Sequence, residues 1–383
     1  MGWFPTQVDD DNVSWTFDIV GLLAVVGGSA IGKYAHVITA SPFGSIPRLL
    51  PAPETLLNTD RPDRLPSVKD VSVCGVDNGC EVNELNFFAD VIHQIHSLKP
   101  FQFQEFQITH KNGTSSGDVE KNNTKEAVIP LHRFSPLNWV TFLSILMTIA
   151  LFVWAGVQHD AVAFLGIGSM SLSTSMACMS ARWRPVLTVR TATGPAPAGD
   201  VVIKTRPGAF VVVKCTEEVS RELYTGTEMC DYVYTGRVHQ CLLGASTICL
   251  MAGIIFFSNC SWKIQIAVGL AYIILNFTYW AMALLASPED MWNMKDRYEV
   301  KELGNDQMKD YTQVLWKAIQ ATGKIEWVKK NKIAPNTRRW EGWLAEAKMK
   351  CADTDWDAGK ARDEWLQRSD SDVEATLRAM HVA

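Results

Sequence analysis

The chain has 383 residues, enough for two or three modest units. Its formal net charge is −5 and it carries no long basic run, which excludes nucleic acid as a partner. Hydrophobic residues make up 47% and mean hydropathy is close to zero, as in a globular protein, but the apolar residues are clumped into runs.

Residues 1–40 read as a luminal N-terminus and a first membrane helix. The window 15–40 has Asp18 near its start and Lys33 and His36 near its end, and these charges can snorkel to the two interfaces. Its uncharged heart is short and rich in glycine, which fits a packed or re-entrant helix. The acidic run Asp9-Asp10-Asp11 ahead of it is unlike the basic start of a signal peptide.

Residues 41–136 read as a cytosolic loop, punctuated by Pro42, Pro47, Pro51, Pro53, Pro62 and Pro66 and polar over 107–126. One helix is predicted over 84–98, with Leu85, Phe88, Ile92 and Ile95 on one face. The same segment holds Cys74, Cys80, His93 and His96. A zinc finger needs two cysteines about two to four residues apart and two histidines about three to five apart, so only the middle gap fits. The ordinary reading is two thiols beside a helix with surface histidines, and neither a metal nor a cofactor is expected.

Four further windows, 139–157, 161–181, 238–258 and 264–286, contain no Asp, Glu, Lys or Arg. Each is long enough for a hydrocarbon core that takes roughly 20 residues of helix. They form transmembrane hairpins over 137–181 and 238–286, and the lipid bilayer is the first partner implied. Gly166, Gly168 and the serines of the 161–181 window mark close helix packing. His159-Asp160, between the first two windows, reads as a polar turn rather than a proton relay. Asn276 lies inside the last window, where no glycosyl transferase reaches; it reads as an interhelical hydrogen bond.

Between the hairpins, residues 182–237 read as a small cytosolic βββα unit. Its strands are 186–190, 200–204 and 209–215, Arg206-Pro207-Gly208 is a turn, and Thr216 caps a short helix. Residues 287–383 read as a helical cytosolic tail. Tyr311, Leu315, Ala318, Ile319 and Thr322 form one stripe, and Trp340, Trp343, Leu344 and Ala347 a second. Ser371 and Glu374 suggest a capping box ahead of a last helix. Asn305, Asp306 and Asp310 are a weak carboxylate cluster, read as a solvated helix start. The tail is the segment expected to meet a cytosolic protein partner. The fold class is therefore an α-helical multi-pass membrane protein of five transmembrane helices, or four if the first window does not span, with a small cytosolic α+β unit and a helical cytosolic tail.

Both hairpins are short-looped, so segments 41–136, 182–237 and 287–383 share one side. They hold 34 of the 36 Lys and Arg residues. Close to the membrane, Lys33, Arg133, Arg182, Arg184, Arg237, Lys295 and Arg297 face Lys263 alone, which makes the shared side cytosolic. The expected location is the endoplasmic reticulum or plasma membrane, with a luminal N-terminus and a cytosolic C-terminus. Of the N-x-S/T acceptors only Asn12 is then both luminal and distant from the bilayer, while Asn112 and Asn122 stay bare. The nine cysteines suit a reducing compartment without a disulfide framework.

The block DVVIKTRPGAFVVVKCTEEVSRELY, the two following membrane helices ending LNFTYW, then VLWKAIQATGKIEWVKK and RRWEGWLAEA, resembles a family of uncharacterised fungal multi-pass membrane proteins over roughly 182–347. The resemblance implies the architecture and carries no activity or site residues. A membrane-anchored scaffold or accessory protein asks least of these residues. A membrane enzyme acting on a lipophilic metabolite comes next. A transporter comes last, because no charge lies inside the four windows.

Overall fold

The computed structural model describes residues 28–57, 61–111, 126–188, 196–287, 290–353 and 356–382. In chain order the elements are α1 (Gly28–Ala40), β1 (Val68–Gly75), β2 (Glu81–Leu85), α2 (Phe87–His93), β3 (Gln102–His110), β4 (Glu126–Val128), α3 (Pro136–Val157), α4 (Ala161–Ser180), β5 (Trp183–Thr188), β6 (Val201–Thr205), β7 (Phe210–Lys214), β8 (Glu228–Tyr232), α5 (Gly236–Ser258), α6 (Trp262–Leu285), β9 (Tyr298–Gln307), α7 (Tyr311–Thr322), α8 (Glu326–Lys330), α9 (Arg338–Met349), α10 (Ala358–Gln367) and α11 (Asp370–Val382). They divide into two compact units. One takes residues 1–62, 130–184 and 231–292; the other takes 63–129, 185–230 and 293–383.

The first unit is built on α3, α4, α5 and α6, four helices long and apolar enough to cross a membrane. Their amphipathy is inverted relative to a soluble bundle. On α3 the outward stripe is Trp139, Phe142, Leu146, Ile149 and Val153, all exposed, while the inward stripe contains Thr141, Ser144 and Thr148. Large apolar groups facing out and hydroxyls facing in is the arrangement hydrocarbon solvent favours, since polar side chains there find partners only inside the protein. Ser135 caps α3 by accepting from the Asn138 N–H, with Pro136 at the first helical position. Gly166 of α4 and Gly253 of α5 allow close approach: a Cβ at Gly166 would meet the Phe257 ring at 3.0 Å. Ser173 and Ser246 then hydrogen-bond across the two helices.

α1 covers the C-terminal half of the first window. Asn12 and the rest of that window lie outside the described residues.

The second unit holds a six-stranded sheet of order β2-β1-β6-β7-β3-β9, in which only β3 and β7 are parallel. The expected Arg206-Pro207-Gly208 turn joins β6 to β7, with Gly208 at φ +88. The region 41–136, expected as a loop with one helix, instead supplies three strands of this sheet. The predicted 84–98 helix shrinks to α2, because 81–85 pairs with β1 and Gln94 turns left-handed. The predicted strand at 186–190 shifts to β5 and joins β4 and β8 in a separate small sheet, so 182–237 is not a self-contained βββα unit.

Both tail stripes are found, on α7 and α9. They bury Leu315, Ile319, Trp343 and Leu344 in one core with Trp327, Trp365, Val202, Phe210 and Val212, the last three from the sheet. The tail is not wholly helical: Asn305 and Asp306 lie on strand β9, and Asp310 is the cap of α7, accepting from Gln313 N–H at 2.9 Å. The last cap sits two residues earlier than expected, where Ser369 accepts from the Asp372 N–H.

Candidate functional site

Two polar assemblies stand out, one in each unit. In the membrane-helix unit, residues 41–57 do not form a peripheral loop. Ser41 donates to Asn138 Oδ1 at the start of α3. Farther on, the Leu49 N–H donates to Thr148 Oγ1 at 2.9 Å and the Leu49 carbonyl accepts from Ser144 Oγ. Thr148 stands about half-way along α3, so Leu49 reaches mid-bundle. Ser175 of α4 donates to the Ser45 carbonyl at 2.5 Å. Arg61 then returns to the starting end, donating to the Ser180 carbonyl at the last residue of α4.

The segment is thus re-entrant. Irregular backbone at that depth survives only when its polar groups are satisfied by protein, and the hydroxyls of α3 and α4 do this. Ser175 therefore serves a backbone rather than only helix packing.

Arg48 is the centre of this segment and is fully buried. Its Nη1 donates to the carbonyls of Phe43, Gly44 and Ile46 at 3.2, 2.8 and 3.3 Å, which folds the turn around it. Nε and Nη2 have no hydrogen-bond partner. The guanidinium lies beside Cys178 of α4 and Tyr279 of α6 without meeting hydrogen-bond geometry to either. Tyr272, Asn276 and Tyr279 recur at four- and three-residue spacing on one face of α6, and Tyr272 OH, Asn276 Oδ1, Tyr279 OH and Ser171 Oγ are all buried without partners. The interhelical bond expected of Asn276 is therefore not made through its carbonyl oxygen.

Next to the turn, an apolar groove of about 330 Å³ is lined by Phe43, Phe134, Trp139, Phe142 and Ile145, with Arg133 also in its wall.

At the opposite end of the helices, His159 and Asp160 form the α3–α4 turn. Asp160 accepts from the Ala163 N–H at 2.9 Å as the cap of α4 and from the Ser261 N–H at 2.8 Å. It ties the two hairpin turns together.

In the second unit, Glu222 sits on a π-helical turn over Arg221–Thr225 with its side chain 2% exposed. It accepts from Arg297 Nη2 at 2.9 Å and Tyr298 OH at 2.7 Å, and meets His110 Nε2 at 3.0 Å. Burial pushes its pKa up, but the His110 hydrogen bond and the Arg297 charge outweigh this and leave it below the ordinary carboxylate value. Both carboxylate oxygens have partners, three of them on Oε2, so this assembly is a clamp on β3 and β9 rather than an open catalytic carboxylate. Glu228 likewise serves structure, its oxygens accepting from the Phe87 and Phe88 N–H groups at the start of α2.

The four sequence candidates for metal do not converge. Cys74 is buried on β1 and Cys80 lies in the β1–β2 turn. His93 is buried against Tyr224 OH at 2.6 Å, where burial lowers its pKa to about 3, and His96 is exposed. Among the described residues no three His, Cys, Asp or Glu side chains gather so as to hold a metal ion. All nine cysteines are free.

Sequence reasoning missed the re-entrant segment and Arg48. The available signals were the apolar content of 46–57, too rich for an exposed loop, and the Thr141, Ser144, Thr148 stripe on α3. No protein-family model, curated protein or solved structure matches the chain.

Proposed function

We propose that the chain is a membrane-anchored scaffold or accessory protein that presents its second unit to cytosolic partners. Strand β9 carries this reading. It is ten residues long, lies at the edge of the six-stranded sheet, and exposes nearly all its side chains, including Val300 and Leu303. An edge strand offers its free backbone groups to a partner strand. The seven near-membrane basic residues support an orientation with the N-terminus luminal or extracellular and the C-terminus cytosolic, in the endoplasmic reticulum or plasma membrane. The resemblance to fungal multi-pass membrane proteins belongs to this proposal and supplies no activity.

The test is proximity labelling with a biotin ligase fused to the C-terminus of the full chain. A reproducible set of cytosolic proteins, reduced when Val300 and Leu303 are both changed to Lys, is the expected outcome. A labelled set matching that of an unrelated multi-pass protein in the same membrane would sink the scaffold reading. The second reading, a membrane enzyme acting on a lipophilic metabolite, draws on the unpartnered polar atoms around Arg48. A transporter remains third.

A further inference from the structure

Among the described residues Arg48 is a charge without a counter-charge. Taking a guanidinium out of water is costly unless an anion or a full set of acceptors replaces the lost hydration. Three carbonyls satisfy Nη1, but they carry only partial charge, and among the described residues no carboxylate forms an ion pair with Arg48. The two nitrogens left over, Nε and Nη2, lie on one edge of the planar group. Their N–H bonds run parallel, in the fork geometry that takes two oxygens of one carboxylate or phosphate side-on. Near the guanidinium stand Cys178 of α4 and Tyr279 of α6, and the Tyr279 OH is also buried without a hydrogen-bond partner. Three unpartnered polar atoms, Arg48 Nε and Nη2 and Tyr279 OH, would be abnormal as permanent features of a dry interior.

We infer that the Nε–Nη2 edge of Arg48, with the nearby Tyr279 hydroxyl, binds the oxyanion of an anionic amphiphile, a carboxylate or phosphate carried on an acyl chain. The backbone supports a chain-borne anion over a free one. The turn that Arg48 holds through the Phe43 and Gly44 carbonyls also places Phe43 in the wall of the apolar groove, which opens on the outward, lipid-facing side of α3. An acyl chain fits that groove, and a water-borne ion has no use for it. A buried cation in a membrane bundle is a functional site by default, because its desolvation is retained only where a ligand or a charge movement offsets it. The inference requires no turnover and is independent of the scaffold reading; failed proximity labelling would leave it standing.

The experiment uses the full chain in neutral phosphatidylcholine nanodiscs and reads the unfolding midpoint by tryptophan fluorescence. The probes are dioleoyl phosphatidic acid, oleate and inorganic phosphate. Phosphatidic acid or oleate should raise the midpoint of the unsubstituted protein by several degrees. The rise should be lost in Arg48→Lys, which keeps the charge but not the fork, and reduced in Tyr279→Phe, which keeps the ring packing. Inorganic phosphate should do nothing. A rise with inorganic phosphate equal to that with the lipids would overturn the chain-borne assignment in favour of a soluble anion. No rise with any probe, or an equal rise in Arg48→Lys, would overturn the site. Should Arg48→Lys fail to fold, organic extraction of the unsubstituted protein purified in neutral detergent decides: near-stoichiometric anionic amphiphile supports the site, and its absence together with an unchanged Tyr279→Phe response overturns it.

Discussion

Glu222 and Glu228 lie on one stretch of chain, are both buried, and answer burial in opposite directions. Glu222 is held ionised by His110, Arg297 and Tyr298, so its stabilisation is present above the ordinary carboxylate pKa and is lost as pH falls. Glu228 accepts from two backbone N–H groups, and burial raises its pKa from 4.5 to about 7. Between those values the folded chain holds a proton that the unfolded chain has released, so stability falls as pH rises through that window. The unfolding midpoint, measured as a function of pH, should drop between about 4.5 and about 7. In Glu228→Gln, which stays neutral and keeps one acceptor, the drop should flatten. An unchanged slope in Glu228→Gln would assign the titration to another group.

Helix α3 does two jobs with two faces. Its outward stripe meets lipid, and its inward hydroxyls replace water for the backbone of residue 49. Removing either hydroxyl strands a buried backbone group, at a cost of about 1–3 kcal/mol. Ser144→Ala and Thr148→Val should therefore each lower the unfolding midpoint. Thr247→Val on α5 should be nearly silent, because Thr247 only bonds back to Leu243 in its own helix. Equal effects at all three positions would mean that the re-entrant contact carries no special energy.

In the tail, α9 shows a local rule overruled by packing. Gly342 in mid-helix costs roughly 1 kcal/mol relative to Ala by propensity. A Cβ there, however, would stand 2.2 Å from Trp365 Cζ3, and Trp365 is pinned by its Nε1–H bond to Glu346 at 2.5 Å. Overpacking of this kind costs about 1–3 kcal/mol. Gly342→Ala should thus destabilise the second unit and weaken its near-ultraviolet tryptophan dichroism, where propensity alone predicts a gain.

For the whole molecule, the orientation proposed above makes a direct prediction. Expressed in a glycosylating cell, the protein should carry at most one glycan, removed by Asn12→Gln. Loss of a glycan on Asn112→Gln or Asn122→Gln would put residues 41–136 in the lumen and reverse the arrangement.

The four membrane windows were legible from the sequence because a spanning helix satisfies its own backbone and needs only a local run of apolar side chains. The same locality made the Arg206-Pro207-Gly208 turn and the two apolar stripes of the tail readable. Residues 41–136 were misread because their structure is set by distant partners. β1 becomes a strand by pairing with β6, far along the chain, and Leu49 enters the bundle only because Ser144 and Thr148 wait on α3 to receive its backbone. Proline-rich sequence signals a break in regular structure but does not say whether the broken segment lies outside the protein or inside it. Arg48 was read as one more basic residue of a cytosolic loop. Only the tertiary fold, by closing α3, α4 and α6 around it, turned that ordinary surface charge into a buried one.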